Sequence, residues 1–424
     1  YTKNNYKSLT QENLFIMSTR PYDLVIYGAT SFVGQILTRY LLEHIHVGSE
    51  VSWAIAGRSE RKLNELRNSL GSDAKNLPVI VAHADDEVAL SGMVKSARVI
   101  VTTVGPYALY GEMLVKSCAL NGTDYCDLCG EAYWIKKMIV KYGNAAKESG
   151  ARLVSCCGFD SIPSDLGVHF LQEHSKKQFN AYCTEIKLGV NAMKGGASGG
   201  TLASMIEAVK AAKNDVRLRK EMGNPYILCP EKKDLSHRQV SVRGPVFDQD
   251  FQSWSGPFIM EAINARVVLR SHMLSGMPYG NNFLYREQMI TGKGFKGRLS
   301  ALTLSTMLGL FAVGVFMTPT RKILQRFLPK PGEGPSPEAQ AAGYFDISLL
   351  GKTASGEKLD VQVTGDRDPG YGCTAKMLAQ SGLSLAFDFD EADREGGFWT
   401  PATLMGDKLI TRLIDHAGMT FNLK

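Results

Sequence analysis

Five side chains that can give or relay a proton lie at or just past the carboxyl ends of short apolar runs: Tyr107, Asp127, Glu131, Asp160 and Ser161. One phenol, three carboxyls and one hydroxyl in such places suit general acid–base catalysis, which needs a donor within hydrogen-bond reach of the reacting atom. Tyr107 is the first choice, because Gly105 and Pro106 make a sharp exit ahead of it and it carries an O–H donor. Asp160 and Glu131 follow. Helix capping is the competing role for the acids, since Asp160 and Asp165 both precede helical pattern. Metal chemistry is not expected: Cys126 and Cys129 form a lone C-x-x-C with no second ligand pair at suitable spacing, and read as small buried side chains at a strand end.

These groups must be held by the elements that precede them. Apolar runs at Leu24–Tyr27, Val51–Ala56, Val79–Ala82, Val99–Val104, Tyr125–Leu128 and Arg152–Cys156 alternate with helical patterns. The alternation predicts β-α units stacked around a parallel sheet, and six strands make a complete doubly wound dinucleotide fold. In such a sheet ligands lie at the carboxyl edge, where the proton donors fall.

The first run leads into Gly28-Ala29-Thr30-Ser31-Phe32-Val33-Gly34 and a helical pattern from Gln35 to Glu43. A strand, a glycine turn and a helix amino terminus make an anion site, because unpaired N–H groups and the positive helix end face a pyrophosphate. Gly28 permits the tight turn and Gly34 the close packing of helix on strand, while Ser31 replaces the usual central glycine and offers a hydroxyl to a phosphate. Thr30, Phe32 and Val33 complete the loop, with Thr103, Gly105 and Pro106 on the facing edge. The second run ends Ala56-Gly57-Arg58-Ser59, with no carboxylate before Glu60 to accept from a ribose 2'-hydroxyl. Arg58 and Ser59 suit a 2'-phosphate, so NADP(H) is expected in preference to NAD(H). Asp85 is a candidate acceptor from adenine, with a plain helix amino terminus as the equal alternative. Such a cofactor supplies a hydride and leaves the proton to Tyr107, Asp160 or Glu131.

After Gly158 the strands alternate polar and apolar side chains: Thr184–Val190, Phe283–Ile290, Phe345–Leu350 and Lys358–Val363. This predicts a largely antiparallel sheet, with Ser355-Gly356 turning a hairpin between the last two. The glycine-rich stretch Gly195 to Thr201 opens a helix running to about Lys220. Ser198, Gly199 and Thr201 are candidates to hold a carboxylate, phosphate or thioester carbonyl, and a flexible link is the equal alternative. Helical patterns at Cys373–Phe387 and Gly406–Ala417 flank an acidic loop, Asp388 to Gly397. A chain of 424 residues exceeds one ordinary core. The expected fold is therefore α/β, a Rossmann-type doubly wound parallel sheet over residues 17–165 with a second α+β domain over 166–370. Helices in 371–424 are expected to pack back on the first domain, and residues 1–16 to form a disordered extension.

With those residues in place, the chain resembles the saccharopine dehydrogenase-like oxidoreductases, and within them the bacterial trans-acting enoyl reductase group. The resemblance rests on Tyr27-Gly-Ala-Thr30 with Phe32 and Gly34, Ala56-Gly-Arg-Ser59, Val104-Gly-Pro-Tyr107, Gly158-Phe-Asp-Ser-Ile-Pro-Ser-Asp-Leu-Gly167, Gly195 to Thr201, Pro369-Gly-Tyr371 and Gly396-Gly-Phe-Trp-Thr-Pro401. It implies NADP(H) binding and a Rossmann domain followed by an α+β substrate domain. For the trans-acting group it implies reduction of an α,β-unsaturated acyl thioester during lipid assembly. It does not imply saccharopine metabolism, and it carries no catalytic residue over.

Net charge +6, with Lys and Arg scattered, does not point to nucleic acid. Eight cysteines and no secretory pattern ahead of the first strand read as reduced thiols in a cytoplasmic protein. The run Leu299 to Met317 is nineteen residues without charge, flanked by Lys293, Lys296 and Arg298 and by Arg321, Lys322, Arg326 and Lys330. Ser300, Thr303, Ser305, Thr306, Gly309 and Gly314 interrupt it, and the hairpin beyond it completes the domain begun before it. A span would separate those halves. An interfacial helix is expected, gripping an anionic lipid surface through 299–330, with a buried core helix as the alternative and a homodimer interface as a further use. The substrate is expected to be a small molecule or an acyl lipid. An amino-acid dehydrogenase would need clustered cations near the glycine loop, where Tyr182 to Thr201 offers only Lys187 and Lys194. A nucleotide-binding protein without turnover at lipid surfaces is the third reading.

Overall fold

The computed structural model describes residues 20–45, 47, 50–196, 199–229, 237–317, 319–320, 333–389 and 395–424. The expected extension over 1–16, Ser198, and the basic residues Arg321, Lys322, Arg326 and Lys330 lie outside them.

Along the first half run β1 (Tyr22–Tyr27), α1 (Phe32–His44), β2 (Trp53–Gly57), α2 (Glu60–Ser69), β3 (Val79–Val81), α3 (Glu87–Lys95), β4 (Ala97–Thr102), α4 (Tyr107–Tyr110), α5 (Glu112–Asn121), β5 (Asp124–Asp127), α6 (Ala132–Ser149) and β6 (Arg152–Val154). The strands are parallel in the order β3-β2-β1-β4-β5-β6, so the winding reverses between β1 and β4 and leaves the crevice in which a dinucleotide lies. Helices cover both faces, which is why these strands are apolar runs and why Ile26, Ile55 and Val101 have no exposed surface.

The second half contains α7 (Ile162–Phe179), β7 (Cys183–Lys194), α8 (Gly199–Asn214), α9 (Val216–Met222), β8 (Val246–Asp248), β9 (Ser253–Pro257), α10 (Glu261–Leu274), β10 (Leu284–Gly292), α11 (Gly294–Phe316), α12 (Pro337–Ala341), β11 (Tyr344–Thr353) and β12 (Lys358–Gly365). The chain closes with α13 (Thr374–Phe387), β13 (Gly397–Trp399), α14 (Pro401–Leu404), α15 (Gly406–Ala417) and β14 (Met419–Leu423). The second sheet has the order β14-β12-β11-β7-β10-β9-β8, and every neighbouring pair is antiparallel except β7 with β10. The hairpin turns at Gly356, whose φ of 101° suits a residue without a Cβ.

Two local readings are corrected, and the buried-core alternative for the charge-free run is excluded. The helix expected from Gly200 to Lys220 breaks in two, because the Asp215 carboxylate accepts from Arg217 N at 2.8 Å and Leu218 N at 3.0 Å and starts a new helix. The loop that ends at Gly397 passes into β13, which pairs parallel with β6 and adds a seventh strand to the first sheet. The charge-free run is not core: among the residues of α11 only Gly297, Ala301 and Val315 are buried.

The carboxyl-terminal segment serves both sheets. Helix α13 is buried along most of its length and packs against β1, β4, β5 and α1, whereas β14 pairs with β12. Gln380 Nε2 donates to the Tyr40 hydroxyl at 2.8 Å, and that hydroxyl donates to the His416 carbonyl at 2.8 Å, so α1, α13 and α15 share one polar link inside an apolar contact. Each buried Leu or Met of α13 contributes roughly 1.5–3 kcal/mol of burial.

Candidate active site

Gly28 leaves β1 with φ 89°, and a Cβ there would meet Val104 Cγ2 at 2.7 Å and Thr103 Oγ1 at 2.9 Å. Gly34 is tighter, since its Cβ would lie 2.2 Å from the Gly28 carbonyl oxygen. Ser31 caps α1 by accepting from Gly34 N at 3.0 Å, and its hydroxyl lies 2.8 Å from that of Thr103, which donates to the Gly28 carbonyl at 3.0 Å. The loop is thus fixed against the β4 edge, and the first-turn amides of Phe32 and Val33 have no acceptor within the helix. Thr30 offers its carbonyl to Gln35 Nε2 at 3.2 Å. Glycines that no Cβ could replace and amides aimed past a capped helix end fit a pyrophosphate. Such a loop would hold it by backbone donors.

At the end of β2, Arg58 is exposed and makes no ion pair among the described residues. Ser59 caps α2 by accepting from Lys62 N at 3.4 Å and keeps its O–H to donate. Asp85 is not the cap of α3: Asp86 is, accepting from Val88 N and Ala89 N at 3.1 and 3.0 Å. Asp85 is left exposed, with His83 as its hydrogen-bond partner. The amino-terminus alternative therefore falls to Asp86.

Two expected proton donors are engaged elsewhere. The Tyr107 side chain is buried under the β4 edge, where its hydroxyl donates to the Thr102 carbonyl at 3.3 Å and accepts from Leu128 N at 3.1 Å. Burial, with the Asp127 charge, pushes that phenol well above its ordinary range, and its O–H is engaged by the Thr102 carbonyl. Glu131 caps α4, accepting from Tyr107 N and Ala108 N at 3.0 Å each, and so completes the turn that the cis Gly105–Pro106 peptide begins. Both residues hold the edge in shape.

Asp160 differs. It lies in the loop after β6, half-buried, with Oδ1 3.8 Å from where a Gly130 Cβ would be, and makes no side-chain hydrogen bond among the described residues. Burial and the neighbouring Asp127 carboxylate push its carboxyl up to about 7. Asp127 is fully buried and raised to about 6 by burial, although Tyr125 Oη, Cys129 N, Cys156 N and Ser155 Oγ all donate to it. Cys156 has φ 65°, the bend that turns the β6 exit toward Asp127. Asp165 does not start its own helix, whose N-cap is Ser161; its carboxylate accepts from Ala402 N at 2.8 Å and from Ser271 Oγ, pinning α14.

The glycine stretch lies beside this edge. Gly199 opens α8 and Thr201 stands in its first turn. Ser204, one turn on, is 3.9 Å from where a Gly105 Cβ would be, so α8 roofs the β4 edge. Sequence reasoning missed what anchors this roof. Buried Asp368 accepts from Gly196 N at 3.4 Å and Gly370 N at 2.7 Å, and the adjacent Tyr371 meets Phe32 of the dinucleotide loop edge to face at 5.1 Å. The signal available was Pro369-Gly-Tyr371, a rigid turn directly after an acid. Also missed were Glu287, which accepts from Tyr285 Oη at 2.6 Å and Asn264 Nδ2 at 2.9 Å, and Glu261, raised to about 7 by burial and by Glu287.

A Rossmann sheet with a phosphate loop, a cation in place of the ribose-binding acid and a half-buried acid at the carboxyl edge defines an NADP-dependent oxidoreductase. The model of the saccharopine dehydrogenase NADP binding domain matches residues 24–154. The chain is 38% identical over 407 residues to a Mycobacterium tuberculosis protein whose name assigns trans-acting enoyl reduction provisionally, covering 93% of this chain and 96% of that one. It is 36% identical over 404 residues to the trans-acting enoyl reductase of Mycobacterium bovis, at the same coverage. It belongs to the trans-acting enoyl reductase family. In fold it is similar to apo saccharopine dehydrogenase from Saccharomyces cerevisiae, with TM-score 0.46 and 11% identity over 95% of this chain and 99% of that one. An engineered D-amino acid dehydrogenase bound to NADP+ gives TM-score 0.41 and 11% identity over 93% and 98%.

Proposed function

We propose that the protein reduces the C=C bond of an α,β-unsaturated acyl thioester or related lipid-linked acyl group, with Asp160 as the proton donor. When bound, NADPH supplies the hydride. The backbone amides after Ser31 and the Arg58 guanidinium hold the two phosphate ends. Gly105 lets the backbone approach, and α8 keeps water from the edge. With the cofactor bound, Asp160 would hold the proton destined for the carbon next to the carbonyl, leaving the carbon beyond it to take the hydride, and would regain a proton from solvent. The single observation that carries this is an acid at the carboxyl edge with no side-chain partner among the described residues, beside the buried Asp127 charge that favours its protonated form.

The amine-forming alternative needs clustered cations to hold a dicarboxylic substrate, and among the described residues beside the glycine stretch only Lys194 is outside an ion pair. Lys187 is paired with Asp248 and Asp250, and Arg286 with Asp248. The test is NADPH oxidation over enoyl thioesters of graded chain length, oxo acids and imines. Oxidation of the thioesters, lost in Asp160→Asn with NADPH affinity unchanged, is the expected result. Oxidation of imines alone, or of nothing, overturns the reading.

A further inference from the structure

Helix α11 is 23 residues long with mean hydropathy 1.9 in its most apolar window, and carries no acid. Both of its ends are tied to the protein body. At the amino end, Gly297 abuts the Gly292 carbonyl, Thr291 Oγ1 donates to the Gly297 carbonyl at 2.9 Å, and Ala301 and Leu304 lie over Gly256 of β9. At the carboxyl end, Val315 is buried and Lys213 of α8 sits 5.7 Å from the centre of the Phe316 ring. A helix fastened at both ends lies along the surface and cannot cross a bilayer. At 1.5 Å per residue it presents a bar about 35 Å long.

The outward side of that bar is largely apolar, broken by the exposed Thr306. Phe295, Leu299, Leu302, Leu310 and Val313 share a face at helical spacing, and each is more than half exposed. Exposed Lys293, Lys296 and Arg298 stand at the amino end, without an ion pair among the described residues. At the other end stands the exposed Lys213 of α8, over the Phe316 ring. Cations at both ends argue against a second copy as the occupant, since parallel or antiparallel pairing of two such stripes would set cations against cations. An anionic lipid surface satisfies the stripe and both ends.

Helix α11 packs on α8, and α8 roofs the β4 edge through Ser204 and Gly105. We propose that α11 docks the protein flat on an anionic lipid surface, and that the acyl chain of its substrate passes from that surface beneath α8 to the reducing cleft. The second half rests on the reductase reading above; the docking half stands without it.

The test combines flotation with kinetics. Vesicles of phosphatidylcholine containing about one-third phosphatidylglycerol should carry the wild type upward at low salt, and neutral phosphatidylcholine vesicles should not. Lys293→Gln with Lys296→Gln should weaken the anionic binding about fivefold per charge. Leu302→Asp with Leu310→Asp, checked for an unchanged circular dichroism melt, should abolish flotation. It should also slow reduction of a vesicle-embedded long-chain enoyl thioester by about tenfold or more, while leaving a short soluble thioester unaffected. A wild type that stays in the soluble fraction overturns docking, as does a double Asp variant that still floats. A concentration-dependent dimer without flotation assigns the stripe to a second copy and also overturns it. Flotation with no thioester oxidised by any form leaves docking standing and removes both the reductase reading and the delivery route.

Discussion

Replacing Asp160 by Asn keeps the shape of the side chain and removes the ionisable proton, so it separates two consequences of one environment. Burial and Asp127 raise the carboxyl from 3.8 to about 7 in the folded chain. A raised carboxyl contributes stability below its unfolded value, and that contribution is lost as pH rises through about 7. Roughly three pH units correspond to about 4 kcal/mol for a group wholly out of water. Asp160 is partly exposed, and solvent screening reduces the figure to about 2 kcal/mol. The Asn variant should therefore be about 2 kcal/mol more stable than wild type at pH 8 and show no gain at pH 4, measured by urea unfolding at both. The same variant should lose about 10²-fold or more in kcat. In the wild type, kcat/KM should fall as pH rises through about 7, because the working form is the protonated acid. Equal stability differences at both pH values, or wild-type turnover in the variant, would refute the environment assigned to Asp160.

Arg58→Ala should weaken NADPH binding by about 1.5–3 kcal/mol and leave NADH nearly unchanged, and equal losses in a fluorescence titration would remove the 2'-phosphate assignment. Gly34→Ala places a Cβ 2.2 Å from the Gly28 carbonyl oxygen and must part helix from strand, so both the melting temperature and NADPH affinity should drop, the latter about tenfold or more. Tyr107→Phe leaves the Leu128 amide without its acceptor and should cost about 1–3 kcal/mol of stability while most turnover survives. A loss of turnover with unchanged stability would return the phenol to the chemistry.

The glycine turn between β1 and α1, the six β-α units and the choice of NADP were legible in the sequence because each depends on neighbours within a few residues. A glycine turn between an apolar run and a helical pattern has few other folded forms, and a missing carboxylate at the end of β2 is visible by inspection. The alternating strands of the second sheet and the turn at Gly356 were legible for the same reason. Which acid stands free was not. Tyr107, Glu131, Asp127 and Asp160 are equivalent in a list of carboxyl-edge residues, and differ only in what reaches them across the fold: the Leu128 amide, the first amides of α4, four donors around Asp127, and none from another side chain for Asp160. Tertiary structure also joined Asp368 to Gly196 across 172 residues, brought β13 beside β6 and turned the apolar side of α11 outward. Periodicity records that a segment has an apolar face. Only packing decides whether another element covers it, because that depends on surfaces contributed by distant parts of the chain.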